Sequence, residues 1–216
     1  MIIQPHSKLL MIGSSVTDSE RAHPIGEGRP GSLGKGYVSF VDGLLWARYP
    51  AHRIRVVNMG VNANNVRHLK ERWQTDVLDL KPDWVSIASG INDAFYEFYR
   101  PHIPETHVPL AEYRQTLEEL VQLTKPLLKG LILITPYFVE PNKSEPVRAR
   151  IDVYGAAVKQ IAEEYQAILV DTQAAFDAAL THMHPVALAM DRIHPTHVGH
   201  MILARAFLQA LGYEWE

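Results

Sequence analysis

The chain has 216 residues with a formal net charge of −3, 47% hydrophobic and 21% charged residues, and no cysteine. That length and balance describe one well-packed domain spanning 1–216, and the missing cysteines exclude disulfides, thiolate nucleophiles and cysteine-ligated zinc. Apolar runs stop short of the roughly 18 residues a membrane helix needs, and Lys and Arg form no basic stripe, so neither a membrane nor a nucleic acid is an expected partner.

The first segment, MIIQPHSKLLMIG, has no basic leader and no apolar region followed by a small-residue cleavage site, which points to the cytoplasm. Its KLLMIG (8–13) is the first of five short apolar runs of strand length. IGSSVTD (12–18) follows, and sets Ser14 beside Ser15. A serine hydroxyl is a poor nucleophile alone; it needs a base, an orienter for the base and donors for an oxyanion. SERAHPIGEGRPGSLGKG (19–36) holds five glycines and two prolines and is a long loop. Its GRPGSLGKG does not meet the spacing of a phosphate-binding loop, and no Ser or Thr follows Lys35.

YVSFVDGLLWARY (37–49) has the three-and-four apolar spacing of a helix, and RIRVVN (53–58) is a second strand. NMGVNANNVRHL (58–69) then offers a tight turn that aims backbone N–H groups, before a helix predicted over 66–80. WVSIAS (84–89) is a third strand, and SGIND (89–93) ends it. There Asn92 is either an oxyanion donor that adds no charge or ordinary turn chemistry. DAFYEFYRPHIPETHVP (93–109) reads as another loop, with Phe95, Tyr96, Phe98 and Tyr99 placed either to stack on a ligand or to pack within the loop. Helices are predicted over 110–128, 147–165 and 197–211, and strands over GLILIT (130–135) and AILVDT (167–172).

DRIHPTHVGH (191–200) precedes the last helix. Asp191 three residues before His194 can bond imidazole Nδ1 and leave Nε2 free to take a hydroxyl proton; the plainer reading is a capping histidine beside a solvated aspartate. His194, His197 and His200 also raise a metal site, but Pro195 keeps His194 ahead of the helix, and steps of three rotate around it, so one ion does not take all three. No metal is expected. Strand alternating with helix means a parallel sheet between two helical layers, whose ligands bind at the carboxyl ends of the strands. The serines, both turns and the Asp-x-x-His segment converge there and together make an acyl-transfer kit.

Those four segments resemble the SGNH or GDSL-type hydrolase family, whose blocks are G-D-S-x-[ST], a glycine-containing turn, G-x-N-D and D-x-x-H-P. Here they read Gly13-Ser14-Ser15-Val16-Thr17, the turn at Asn58 to Asn65, Gly90-Ile91-Asn92-Asp93 and Asp191-Arg192-Ile193-His194-Pro195. The resemblance implies a flavodoxin-like three-layer α/β/α sandwich with about five parallel strands. It also implies Ser15 as nucleophile, His194 as base, Asp191 as orienter, and the oxyanion held by the N–H of Ser15, the N–H of Ala63 and the side chain of Asn92, with no cofactor. Two positions depart from the family: Ser14 stands where Asp is usual, and Ala63 where N-x-G-x-x-G has its second glycine, with Gly60 matching the first. Ser14 and Gly60 are read as loop-shaping. Alanine keeps the N–H but disfavours positive φ, so the turn is either ordinary or strained there.

Within the family the chain is most similar to intracellular bacterial acetylxylan esterases, on stretches such as GKGYVSFVDGLL, KPDWVSI and GHMILARAF. That likeness implies a homo-oligomeric serine esterase removing O-acetyl groups from xylo-oligosaccharides. The same kit also serves lipid or thioester acyl groups, and a catalytically silent carbohydrate-binding relative is the alternative that Ser14 and Ala63 raise.

Overall fold

The computed structural model describes residues 1–215. Five strands form one parallel sheet: β1 (Lys8–Gly13), β2 (Arg55–Gly60), β3 (Trp84–Ala88), β4 (Gly130–Ile134) and β5 (Ile168–Val170), in the spatial order β2-β1-β3-β4-β5. This is the flavodoxin-like doubly wound order. Leu9, Leu10, Met11 and Ile12 have no exposed surface, as expected of a central strand covered on both faces. Burying each such side chain contributes about 1.5–3 kcal/mol.

Nine helices surround the sheet among the described residues: α1 (Ser15–Asp18), α2 (Tyr37–Arg48), α3 (Val66–Glu71), α4 (Ile91–Tyr99), α5 (Leu110–Thr124), α6 (Pro146–Glu164), α7 (Thr172–Leu180), α8 (Pro185–Leu188) and α9 (His197–Ala210). The longer ones fall into two packed groups, α2 with α9 and α7, and α3 with α5, α6 and α4, which are the outer layers. The strands end level: Gly13 pairs with both Gly60 and Ala88, Ala88 with Ile134, and Ile134 with Val170. Every segment that leaves a strand end therefore starts from the same edge.

Several expectations need correction. The segment 93–109 is not loop throughout, because α4 occupies its first part. Gly90 takes a positive φ of 110°, and the Asp93 carboxylate returns to the Gly90 amide at 3.0 Å, which starts a helix that buries Ile91, Ala94 and Tyr96. Tyr96 is core rather than an exposed platform; Phe95 is half-buried and stacks on Tyr99, while Phe98 and Tyr99 are exposed. The helix expected over 66–80 is broken. α3 ends at Glu71, and a π-type turn, Gln74–Leu78, follows it. Trp73 is buried there and its indole N–H donates to Thr124 Oγ1 at 2.8 Å. The second strand runs two residues later than RIRVVN suggests, so Asn58 to Gly60 belong to β2. Sequence reading also missed α7, which Asp171 caps through the Ala174 amide at 3.1 Å, and the short α8.

Candidate active site

Ser15 is the first residue of α1, two positions beyond the end of β1. Its Oγ lies 2.8 Å from Nε2 of His194, across 179 residues of sequence. On the other side of the ring, Nδ1 is 2.6 Å from Oδ2 of Asp191. A carboxylate only accepts, so Nδ1 carries the proton and Nε2 is left to accept from the serine hydroxyl. Oδ1 of Asp191 accepts the amides of His194 at 2.7 Å and Ile193 at 3.0 Å. Burial acts to raise the Asp191 carboxyl, but the His194 ring and these two amides outweigh it and hold it below its ordinary value. It stays a carboxylate.

The Asp191–His194 segment is held from outside as well. Tyr137 O–H donates to the carbonyl of Ile193 at 2.7 Å, and the Val139 amide donates to the carbonyl of Arg192 at 2.9 Å. Arg192 itself takes a left-handed φ of 66° and pairs with Glu140 at 2.8 Å. The neighbouring histidines do other work. His200 is buried, its Nδ1 accepts the Tyr37 amide at 3.1 Å, and burial together with His197 and His194 pushes it down to about 4, so it is neutral. His197 is exposed and meets Phe40 edge-on.

The turn after β2 packs against α1. Gly60 passes so close to α1 that a Cβ would collide with the amide nitrogen of Asp18. Ala63 takes φ 62°, so the strained form of the turn is the one adopted. Neighbours hold it there: the Asn62 amide donates to Oδ2 of Asp18 at 3.2 Å, Tyr96 O–H donates to the carbonyl of Ala63 at 2.8 Å, and Asn92 Nδ2 donates to the carbonyl of Asn64 at 2.8 Å. Asn92 thus lies against the turn that carries Ala63, with a second N–H on the same nitrogen. The Ser15 N–H, first in its helix, has no intrahelical acceptor. Ser14 makes no side-chain capping bond; its backbone carbonyl receives the amides of Thr17 and Asp18 instead.

Sequence reading overlooked the braces. Asp93 is buried and accepts the Val66 amide at 2.8 Å as well as that of Gly90, which ties the start of α3 to the start of α4. Arg21 reaches the carbonyl of Gly60 at 2.6 Å, and Arg72 reaches Asn64. The D of G-x-N-D, Asp93, is the sequence signal for the first. Nothing in the sequence pattern marks the two arginines.

A parallel sheet of this order with a serine, imidazole and carboxylate in line at its carboxyl edge defines a serine hydrolase. The chain belongs to the GDSL-like lipase/acylhydrolase family, whose pattern matches residues 11–202, and it is a serine esterase. An acetylxylan esterase of Geobacillus stearothermophilus is 55% identical over 215 residues, covering 100% of this chain and 98% of that one. The crystal structure of its S15A catalytic mutant superposes with a TM-score of 0.98 at 55% identity, over 100% of this chain and 98% of that one; D191A and H194A of the same esterase are also described as catalytic mutants. This chain has Ser15, Asp191 and His194 at those numbers. An α/β hydrolase, LAE5, from the metagenome of Lake Arreo, Spain, is 48% identical with a TM-score of 0.97, over 99% of this chain and 98% of its own.

Proposed function

We propose that this esterase removes acetyl groups from short xylo-oligosaccharides, with Ser15 as nucleophile, His194 as general base and acid, and Asp191 as orienter. The observation that carries the assignment of roles is the unbroken line from Ser15 Oγ to His194 at 2.8 Å and from His194 to Asp191 at 2.6 Å. The substrate follows the 55% identical acetylxylan esterase, which the chain matches end to end.

Ser15 Oγ attacks the acetyl carbonyl carbon as its proton passes to His194 Nε2. The carbonyl oxygen becomes an oxyanion received by the N–H groups of Ser15 and Ala63 and by Nδ2 of Asn92. Asp191 stabilises the imidazolium without taking its proton. The C–O bond to the sugar then breaks, Nε2 returns the proton to the sugar oxygen, and acetyl-Ser15 remains. Water adds to that ester as His194 takes its proton, the bond to Ser15 Oγ breaks, Nε2 returns the proton to Oγ, and the acetyl group leaves as acetic acid.

Among the described residues no helix is long and apolar enough to cross a membrane. We further propose action in the cytoplasm on imported oligosaccharides, and a homo-oligomer, which the exposed side chains of Trp46, Met190 and Trp215 support. Acid release from acetylated xylo-oligosaccharides, compared with aryl acetates, longer acyl esters and thioesters, tests the substrate. Preference for the long acyl esters or thioesters overturns it. Light scattering tests the assembly, and a monomeric mass overturns that part.

A further inference from the structure

The proposed reaction joins two segments, Ser14–Ser15 beyond β1 and the turn 61–65 beyond β2, and its rate depends on the distance between them; the Val61 amide already donates to the carbonyl of Gly13 at 3.1 Å and the Asn62 amide to Asp18 at 3.2 Å. One guanidinium bonds both. Arg72 Nη2 donates to the carbonyl of Gly13 at 3.1 Å, Nη1 to the carbonyl of Met59 at 2.8 Å, and Nε to Oδ1 of Asn64 at 2.8 Å. Gly13 is two residues before Ser15, and Asn64 follows Ala63 directly. The carbonyl of Asn64 in turn takes the Asn92 amide. Nη1 also meets Asp76 at 2.7 Å, and the side chain is only 15% exposed. Arg72 stands where α3 stops and before the π-type turn, and such interruptions of a regular helix cluster at functional sites.

A guanidinium is planar and rigid, so three acceptors bonded to it have their separations set by its own geometry. From this geometry we infer that Arg72 is a positioning residue that sets the spacing between the Ser15 hydroxyl and the Ala63 N–H. It touches neither substrate nor reacting atoms. The link explains how a turn with alanine at a left-handed position and serine at position 14 keeps one arrangement: the strand end and the turn are bonded to the same rigid group. The inference rests on the esterase reading above.

The test compares the parent protein with Arg72→Met, Arg72→Lys and Asn64→Ala. Active sites are counted with a serine-directed phosphonate, and hydrolysis of an aryl acetate is expressed per labelled site. A positioning role lowers kcat per labelled site by about tenfold to a hundredfold in Arg72→Met and Asn64→Ala, with KM changed by less than about threefold. Arg72→Lys recovers little, because one ammonium cannot meet the three acceptors at the same spacing. A lower melting temperature and fewer labelled sites, with kcat per site unchanged, overturn the inference and leave Arg72 a structural bond. Should Arg72→Met not fold, Asn64→Ala decides alone: kcat per labelled site within about twofold of the parent overturns it. Failure of the underlying reading looks different, since the parent itself would then take no label at Ser15, and the inference would fall with it.

Discussion

The phenol of Tyr96 donates to the carbonyl of Ala63 at 2.8 Å, so α4 grips the turn 61–65 at the residue whose φ is 62°. Left-handed backbone costs an alanine roughly 1–2 kcal/mol. Glycine avoids that strain but loses about 0.5–1 kcal/mol more in chain entropy on folding. Ala63→Gly is therefore expected to leave stability unchanged or raise it by up to about 1.5 kcal/mol, and because the neighbouring bonds remain, to keep kcat within about threefold. Tyr96→Phe keeps the buried ring and deletes the bond, with an expected cost of about 1 kcal/mol and a fall in kcat that leaves KM nearly unchanged. Urea unfolding and aryl acetate kinetics check both. A Tyr96→Phe protein as active as the parent would show that α4 does not govern the turn.

Two buried groups give stability opposite responses to acid. Burial pushes Asp93 up to about 6 from an ordinary 3.8, against the pull of the Val66 and Gly90 amides. A raised carboxyl binds a proton more readily when folded, so its contribution is fully present below 3.8 and is lost as pH rises to about 6, on the order of 3 kcal/mol. His200 is pushed from 6.5 down to about 4, so its contribution is present above 6.5 and is lost as pH falls to about 4, again on the order of 3 kcal/mol. Over roughly pH 4 to 6 the two slopes oppose and largely cancel in the parent. Asp93→Asn exposes the His200 slope, and stability then falls on acidification through that window. His200→Gln exposes the reverse. Denaturant unfolding at a series of pH values reads both, and parallel curves for the two variants would refute the pairing.

Strand and helix order were legible in the sequence because both depend on local periodicity: KLLMIG and GLILIT are apolar runs too short for a helix, and 110–124 and 147–164 repeat on a helical face. α4 was hidden because its start depends on Gly90 adopting a positive φ and on Asp93 turning back to it, in a segment whose Gly, Asn and Asp read as turn chemistry. The break after Glu71 was hidden for a different reason. Residues 66–80 have helical periodicity throughout, and what interrupts them is tertiary: buried Trp73 bonded to Thr124, and Arg72 bonded to the ends of β1 and β2. In the site, Ser15, Asp191 and His194 stood out because their chemistry constrains residue type. Asp18 and Arg21 did not, because they bond mostly to backbone groups, and Arg72 did not because its bonds to the two strand ends are to carbonyls; a backbone amide or carbonyl leaves no mark on composition.

Arg148 links the helical layer to the segment carrying the imidazole. It is 2% exposed, meets Asp177 through two bonds of 2.9 Å and Asp152 at 2.9 Å, and donates to the carbonyl of Glu140 at 2.6 Å. Glu140 in turn pairs with Arg192, inside the Asp191–His194 segment. Arg148→Met strands two carboxylates that are 30% and 35% exposed, so water reaches them and the loss falls below that of a fully buried pair, at about 2–3 kcal/mol. Thermal melts give the magnitude. Activity at a temperature where the variant remains folded should still decline, because the Glu140 carbonyl loses its donor; full activity there would separate the two networks.

Ser14 and Ser15 differ in what their hydroxyls touch. Ser15 Oγ is on His194, whereas the side chain of Ser14 caps nothing. Ser15→Ala is expected to lower kcat by several orders of magnitude and to abolish phosphonate labelling, while Ser14→Ala stays within about tenfold of the parent. Asp191→Asn makes the sharper measurement. The amide preserves the shape but presents an N–H on one side, which disfavours the tautomer that leaves Nε2 free, so kcat should fall about 10³- to 10⁴-fold with the fold intact. Were Ser14→Ala the damaging change and Ser15→Ala tolerated, the nucleophile would be the first serine of the pair, and the 2.8 Å contact with His194 would be incidental to the chemistry.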